Sequence, residues 1–165
     1  MKHCYECGTA LTTKECDHEG LIPFCGSCNT FRFPIFSTAV SCIVFNKTED
    51  KILLIQQYGR ADYILVAGYI SQGENAEQTV LREVKEETGL SVSSHRYMKS
   101  EYYEKSNTLI FNYCCVVDSE DLTGINHEVD KADWFSIDAA KAAIKKGSLA
   151  ERFLLSEQVH QYIIR

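Results

Sequence analysis

Two apolar runs, residues 39–45 (AVSCIVF) and 52–55 (ILLI), stand on either side of the polar stretch 46–51. Short runs rich in β-branched residues and bounded by turn residues predict strands, so this segment predicts two strands joined by a polar turn. Residues 63–66 (YILV) predict a third strand, and 108–117 (TLIFNYCCVV) a long one. A last strand is predicted over 132–135. The pattern then changes to helical. Asn75 and Gln78 have the spacing of a capping box, and Gly89 stands where a glycine stops a helix, which predicts about four turns between them. A second helix is predicted over 136–146. Ser148 and Glu151 form another capping box, opening a final helix towards Ile164 with Phe153, Leu154 and Val159 for packing. Strands interleaved with helices predict an α/β fold, an α+β sandwich with helices outside a mixed sheet.

With 165 residues the chain can hold one full domain and a small module besides. Its 45% hydrophobic and 24% charged residues are ordinary for a soluble globular protein. No segment approaches the ~18 uninterrupted apolar residues of a membrane span, and MKHCYECG offers no secretion signal, so the expected location is the cytoplasm. The net charge of −6 argues against a nucleic-acid partner, which would call for a basic stripe. It leaves open a phosphate-bearing small molecule, because a metal can supply positive charge locally.

The eight cysteines are expected as metal ligands or buried thiols, since the cytosol keeps thiols reduced. Cys4-Tyr-Glu-Cys7 and Cys25-Gly-Ser-Cys28 are two CxxC pairs 17 residues apart. Four thiolates from two knuckles can close a tetrahedron around Zn²⁺, and this spacing is that of a zinc ribbon; unpaired structural thiols are the alternative. Cys16, His3 and His18 belong to no knuckle. The ribbon is expected over residues 1–33, with too few apolar residues to fold without its metal. Phe33-Pro34 marks the junction, and the second domain is expected over 34–165. Cys42, Cys114 and Cys115 lie within strands as small buried hydrophobes.

The predicted first helix carries an electrostatic oddity. Glu83, Glu86 and Glu87 fall within about one and a half turns, where like charges cost a few tenths of a kcal/mol per pair. Either the strip is a solvated polar face, or a divalent cation sits against it and turns repulsion into coordination. Residues 68–90 read GYISQGENAEQTVLREVKEETGL. Gly68, five residues, Glu74, seven residues, Arg82-Glu83-Val84, one residue, Glu86-Glu87, one residue and Gly89-Leu90 match the Nudix box at every fixed position. The chain resembles a Nudix hydrolase. A loop beginning at Gly68 can bring backbone carbonyls to the metal, and Arg82 and Glu74 suit orienting the strip by paired hydrogen bonds.

The resemblance implies Glu83, Glu86 and Glu87 as ligands of Mg²⁺ or Mn²⁺, and hydrolysis of a phosphoanhydride by metal-activated water. The base is implied to be a box glutamate or a distal residue. A four-cysteine ribbon, a Phe-Pro junction and a Nudix domain are together similar to the NADH pyrophosphatase group. That likeness implies Glu128, ahead of Trp134-Phe135, as a further metal ligand, and a metal-facing carbonyl at Ala67. It implies Tyr69 and Ala150 as substrate contacts, and a homodimer. The group's proline-rich SQPWPFPxS signature is absent: residues 100–108 read SEYYEKSNT, with Tyr103 as the remaining aromatic. The implied reaction converts an NAD(H)-like dinucleotide to AMP and nicotinamide mononucleotide. Hydrolysis of an ADP-sugar such as ADP-ribose, hydrolysis of a noncanonical nucleoside triphosphate, and nucleotide sensing without catalysis are the alternatives.

Overall fold

The computed structural model describes residues 2–164 and divides between Phe36 and Ser37 into two compact units. The first holds a three-stranded antiparallel sheet of β1 (Thr12–Glu15), β2 (Leu21–Cys25) and β3 (Thr30–Phe31). Its cysteine pairs sit in tight turns beside the strands. In the first turn Gly8 adopts φ +73° and donates its N–H to the Cys4 carbonyl at 2.9 Å.

The second unit is built on a six-stranded sheet. Its strands are β4 (Ser37–Phe45), β5 (Lys51–Gln57), β6 (Val66–Tyr69), β7 (Val92–Tyr103), β8 (Thr108–Val117) and β9 (Val129–Ser136). The order is β7-β8-β4-β5-β9, with β6 also paired to β4. Only β4 and β8 run parallel among these pairs. Strand β4 forks: residues 39–42 pair with β6, while Val44 and Phe45 pair with β5. The fork separates two strand ends on which the functional site is assembled.

Successive side chains of β4 and β8 point to opposite faces, and each face has its own core. Val40, Cys42, Val44, Tyr113, Cys115 and Val117 pack under helix α1 (Ala76–Thr88) with Val80 and Val84. Ile43, Phe45, Cys114 and Val116 pack on the other side with Ala140, Phe153, Leu154 and Val159. These come from the helices α2 (Ile137–Ala143), α3 (Leu149–Leu154) and α4 (Glu157–Ile163). The three expected cysteines, Cys42, Cys114 and Cys115, are buried free thiols. The α/β sandwich read from the sequence is borne out.

Helix α1 is bounded as its sequence predicts. Gln78 N–H donates to Asn75 Oδ1 at 2.8 Å, Asn75 N–H donates to Gln78 Oε1 at 3.0 Å, and Gly89 closes the helix at φ +74°. Three expectations change. Strand β7 was not expected: its twelve residues lie at the sheet edge and are mostly exposed, so no apolar alternation marks them. The strand expected over 63–66 contributes isolated bridges at Tyr63 and Ile64, and the ordered ladder begins at Val66. The final helix is two: Ser156 adopts an extended conformation (ψ 153°) and starts α4, whose Val159 is buried in the same core as Phe153 and Leu154.

Candidate functional site

The three glutamates of α1 occupy three different environments. Glu87 follows Val80 and Val84 on the apolar stripe and is 4% exposed. The Glu83 side chain is 12% exposed and that of Glu86 54%. The strip is thus not a uniformly solvated face. Arg82 ties it together: Nε and Nη2 grip both oxygens of Glu74 at 2.7 and 2.9 Å, Nη1 reaches Glu83 at 2.7 Å and Glu86 at 3.0 Å, and Nη2 also reaches the Tyr69 carbonyl at 3.0 Å. This bidentate pairing holds the Glu74 carboxyl at about 2, well below the usual range.

Glu87 is approached from both branches of the fork. From the end of β5, where a bulge at Gln56 and Gln57 shifts the register, Gln57 Nε2 donates to Oε1 at 2.7 Å. The backbone of Ala67 on β6 also favours its charged form. The other oxygen, Oε2, is buried without a partner among the described residues. Burial first, then the neighbouring charges of Glu83 and Glu128, push the Glu87 carboxyl up to about 7. Burial is also the main cause raising Glu83, where Arg82 pulls the other way.

Glu83, Glu87 and Glu128 line one cavity of about 400 Å³. Ala67, Gly68, Tyr69 and Tyr103 line it too, so the fold gathers these predicted residues together. A Cβ at position 68 would coincide with the Glu83 carboxylate, so glycine there leaves the space that this side chain occupies. Glu128 is brought in by a loop docked on the end of α1: Asn126 N–H donates to the Glu87 carbonyl at 3.4 Å, and a Cβ on Gly89 would lie 2.7 Å from Gly124 Cα. Glu86 and Ala150 stand outside this cavity, Glu86 on the exposed side of the strip and Ala150 in an adjoining hollow.

An orphaned buried carboxylate oxygen amid two further acids, with hard oxygen donors throughout, fits Mg²⁺ or Mn²⁺. Glu83, Glu87 and Glu128 would hold it. Ala39, Tyr58 and Ile110 line the cavity too and were not among the expected site residues, whereas Ser106 and Thr108 belong to the 100–108 stretch and Leu149 stands beside Ala150. Tyr58 is notable, being 76% exposed with φ +58° in a turn pinned by Gln57 and by the bond from Gly59 N–H to Asp130 Oδ2 at 2.6 Å. Gln57 was missed as well, because pairing with a residue 30 positions away leaves no local pattern.

In the first unit the Cys4, Cys7, Cys25 and Cys28 sulfurs all lie within 4.8 Å of one another. Cys4 and Cys28 Sγ are 3.9 Å apart, Cys7 and Cys25 Sγ 3.5 Å. A tetrahedron with Zn–S of ~2.3 Å requires S···S separations of about 3.8 Å, so four soft thiolates at this spacing fit Zn²⁺. Burial pushes the Cys4 thiol up, but the Cys7 and Glu6 backbone and the Arg32 guanidinium outweigh it and bring it to about 6. Arg32 is buried, donates from Nε to Cys4 Sγ at 3.2 Å and pairs with Glu6 at 2.7 Å. It too was missed by the sequence reading.

Comparison with known proteins adds to this geometry. A family model described as NUDIX domain matches residues 36–155. The chain is 30% identical to the NAD-capped RNA hydrolase NudC of Photobacterium profundum over 156 residues, 93% of this chain and 56% of that protein. It is 29% identical to the NAD-capped RNA hydrolase NudC of Vibrio atlanticus over 156 residues, again 93% and 56%. The chain therefore spans about half the length of the curated relatives it matches. Among solved structures, a NUDIX hydrolase from Nitrosomonas europaea superposes with a TM-score of 0.68 at 20% identity, covering 98% of this chain and 93% of that one. The NUDIX domain of Shewanella oneidensis NrtR, complexed with ADP ribose, superposes with a TM-score of 0.63 at 20% identity, covering 79% and 90%. These structural likenesses concern the fold.

Proposed function

This chain belongs to the NUDIX domain family, and from that premise we propose that it is a divalent-metal-dependent hydrolase of a nucleoside diphosphate linked to a second group, with an NAD(H)-like dinucleotide as substrate. The observation carrying the reading is the convergence of Glu83, Glu87 and Glu128 on one cavity, with Glu87 Oε2 buried and unpartnered. Such a cluster is strongly unfavourable alone and becomes favourable beside a dication.

Each residue then has a role. Glu83, Glu87 and Glu128 would hold Mg²⁺ or Mn²⁺, which when bound would neutralise the pyrophosphate and activate water. Arg82, held bidentate by Glu74, fixes the Glu83 and Glu86 carboxylates. Gln57 fixes Glu87 through Oε1, which leaves Oε2 available to a cation. Water attacks one phosphorus, its proton passes to a carboxylate of the group, and the bridging P–O bond breaks to leave two monophosphates. Catalysis of this kind depends on positioning and charge compensation. Tyr69 and Tyr103 offer flat apolar surfaces beside the pyrophosphate position. Zn²⁺ bound at Cys4, Cys7, Cys25 and Cys28 would hold the small first unit together.

The relatives' names favour an NAD-linked substrate over an ADP-sugar or a nucleoside triphosphate. The net charge of −6 favours a free dinucleotide over a capped RNA, whose phosphates are ordinarily met by basic residues. Chromatography of products after incubation with Mg²⁺ or Mn²⁺ and NADH, NAD⁺, ADP-ribose, nucleoside triphosphates or NAD-capped RNA tests this. AMP and nicotinamide mononucleotide are expected from NADH, and none with Glu83→Gln or excess EDTA. Turnover of ADP-ribose alone would defeat the dinucleotide reading. A homodimer belongs to the same reading, and light scattering at working concentration measures it.

A further inference from the structure

Beside the carboxylate cavity, within the second unit, lies a hollow of about 180 Å³ that shares Ala39, Ala67, Ile110 and Leu149 with it. Its walls are almost wholly apolar. The polar side chains among them are Glu101, whose carboxylate pairs with Lys99 and Arg152, and the pair Ser41 and Asn112. Ser41 and Asn112 lie two residues further along β4 and β8 than Ala39 and Ile110, and they are register partners across that parallel pair. Alternation along a strand puts all four on the same sheet face, under α3. Asn112 is 3% exposed. Neither its amide nor the Ser41 hydroxyl has a side-chain hydrogen-bond partner among the described residues, and neither belongs to those with further interactions.

An amide that lines an apolar hollow with no protein partner is left to water or to a guest for its hydrogen bonds. A leucine of similar volume would fill the space without needing them, so the amide suits a guest that supplies them. The volume limits the guest. A cavity of ~150 Å³ takes a benzene-sized ring, so this hollow takes one substituted ring and not a whole nucleoside. The chemistry limits it further. The carboxylate in the lining, Glu101, is paired with Lys99 and Arg152, and an amide offers donor and acceptor side by side, so the matching edge carries both.

We propose that Asn112, assisted by Ser41, is a specificity-determining residue that receives a single flat heterocycle bearing an amide-type donor–acceptor edge, the ring end of the substrate whose pyrophosphate lies at Glu83, Glu87 and Glu128. The placement of the pyrophosphate rests on the hydrolase reading above. Two rings carry such an edge in a dinucleotide: the nicotinamide with its carboxamide, and adenine with its exocyclic amine and ring nitrogen. The volume favours the first.

Saturation-transfer NMR on the full chain, with nicotinamide mononucleotide and AMP as separate probes, tests the ring site without turnover. One probe is expected to receive saturation at its ring protons in the wild type and to lose it in Asn112→Leu. In steady state with Mg²⁺, Asn112→Leu is expected to raise KM for NADH about tenfold with kcat within about twofold, as for loss of a buried hydrogen-bonding site. ADP-ribose keeps its KM if the ring is nicotinamide and shares the rise if it is adenine. Asn112→Asp, of the same shape with the donor removed, and Ser41→Ala are expected to raise KM less, and they decide the matter should Asn112→Leu not fold. Wild-type KM and ring saturation in all variants that fold overturn the proposal. Ring saturation that depends on Asn112 in a protein hydrolysing no anhydride would overturn the hydrolase reading and leave the ring site standing.

Discussion

Gln57 Nε2 donates to Glu87 Oε1 across 2.7 Å inside the protein, and this one bond orients a carboxylate whose other oxygen has no partner. The donor stands at the bulged end of β5, and the acceptor on the buried stripe of α1. The bond therefore joins sheet to helix at the place where the fork of β4 separates β5 from β6.

Removing that donor leaves Glu87 free to rotate. In Gln57→Leu, which keeps the volume, kcat is expected to fall about 10–100-fold, as for loss of a residue that orients a metal ligand. Raising Mg²⁺ should recover part of the loss. Metal titration by calorimetry together with steady-state rates measures both, and an unchanged kcat would remove Gln57 from the site.

The raised Glu87 carboxyl has a sign that can be checked. Its native value of about 7 lies above the ordinary 4.5, so the native state binds the proton more tightly than the unfolded chain. The contribution to stability is full below about pH 4.5 and is lost as pH rises through about 7. In EDTA, Glu87→Gln is expected to melt above the wild type at pH 8, by about 1–3 kcal/mol, with the gap closing towards pH 5. Thermal melts from pH 5 to 8.5 measure this. Glu87→Gln is expected to abolish turnover at the same time.

Gly89 closes α1 at φ +74° and touches Gly124, whose loop leads to Glu128. An alanine at position 89 meets both a strained left-handed backbone and a contact of 2.7 Å to Gly124 Cα. Gly89→Ala is expected to cost about 1–3 kcal/mol in stability and to weaken metal binding by moving Glu128. Denaturant melts and metal titration separate the two effects.

The four sulfurs of the first unit predict stoichiometric Zn²⁺. Elemental analysis of purified protein should give about one zinc per chain. Cys25→Ser should lose it and leave the first unit open to proteolysis, and full zinc retention would contradict the site. Arg32→Met, which removes the donor to Cys4 Sγ, is expected to weaken zinc retention less than loss of a cysteine.

What could be read along the chain was whatever is written in local spacing. The capping box of Asn75 and Gln78, the stop at Gly89, the two cysteine knuckles and the run from Gly68 to Leu90 are fixed by residues a few positions apart, and the fold follows them. Strand β7 escaped because an exposed edge strand needs no apolar alternation, and the split between α3 and α4 because local capping does not reveal where a helix must turn to bury Val159.

The sequence by itself determined the family and three acids along one helix. Tertiary structure decided how those acids differ: Glu87 buried, Glu83 largely enclosed beside Gly68, Glu86 in solvent. It also brought in Gln57, Arg32, and the pair Ser41 and Asn112, from positions that share no periodicity with the groups they serve. The physical reason is that helix and turn signals are short-range, whereas burial, charge coupling and cavity walls arise when strands far apart in sequence pair.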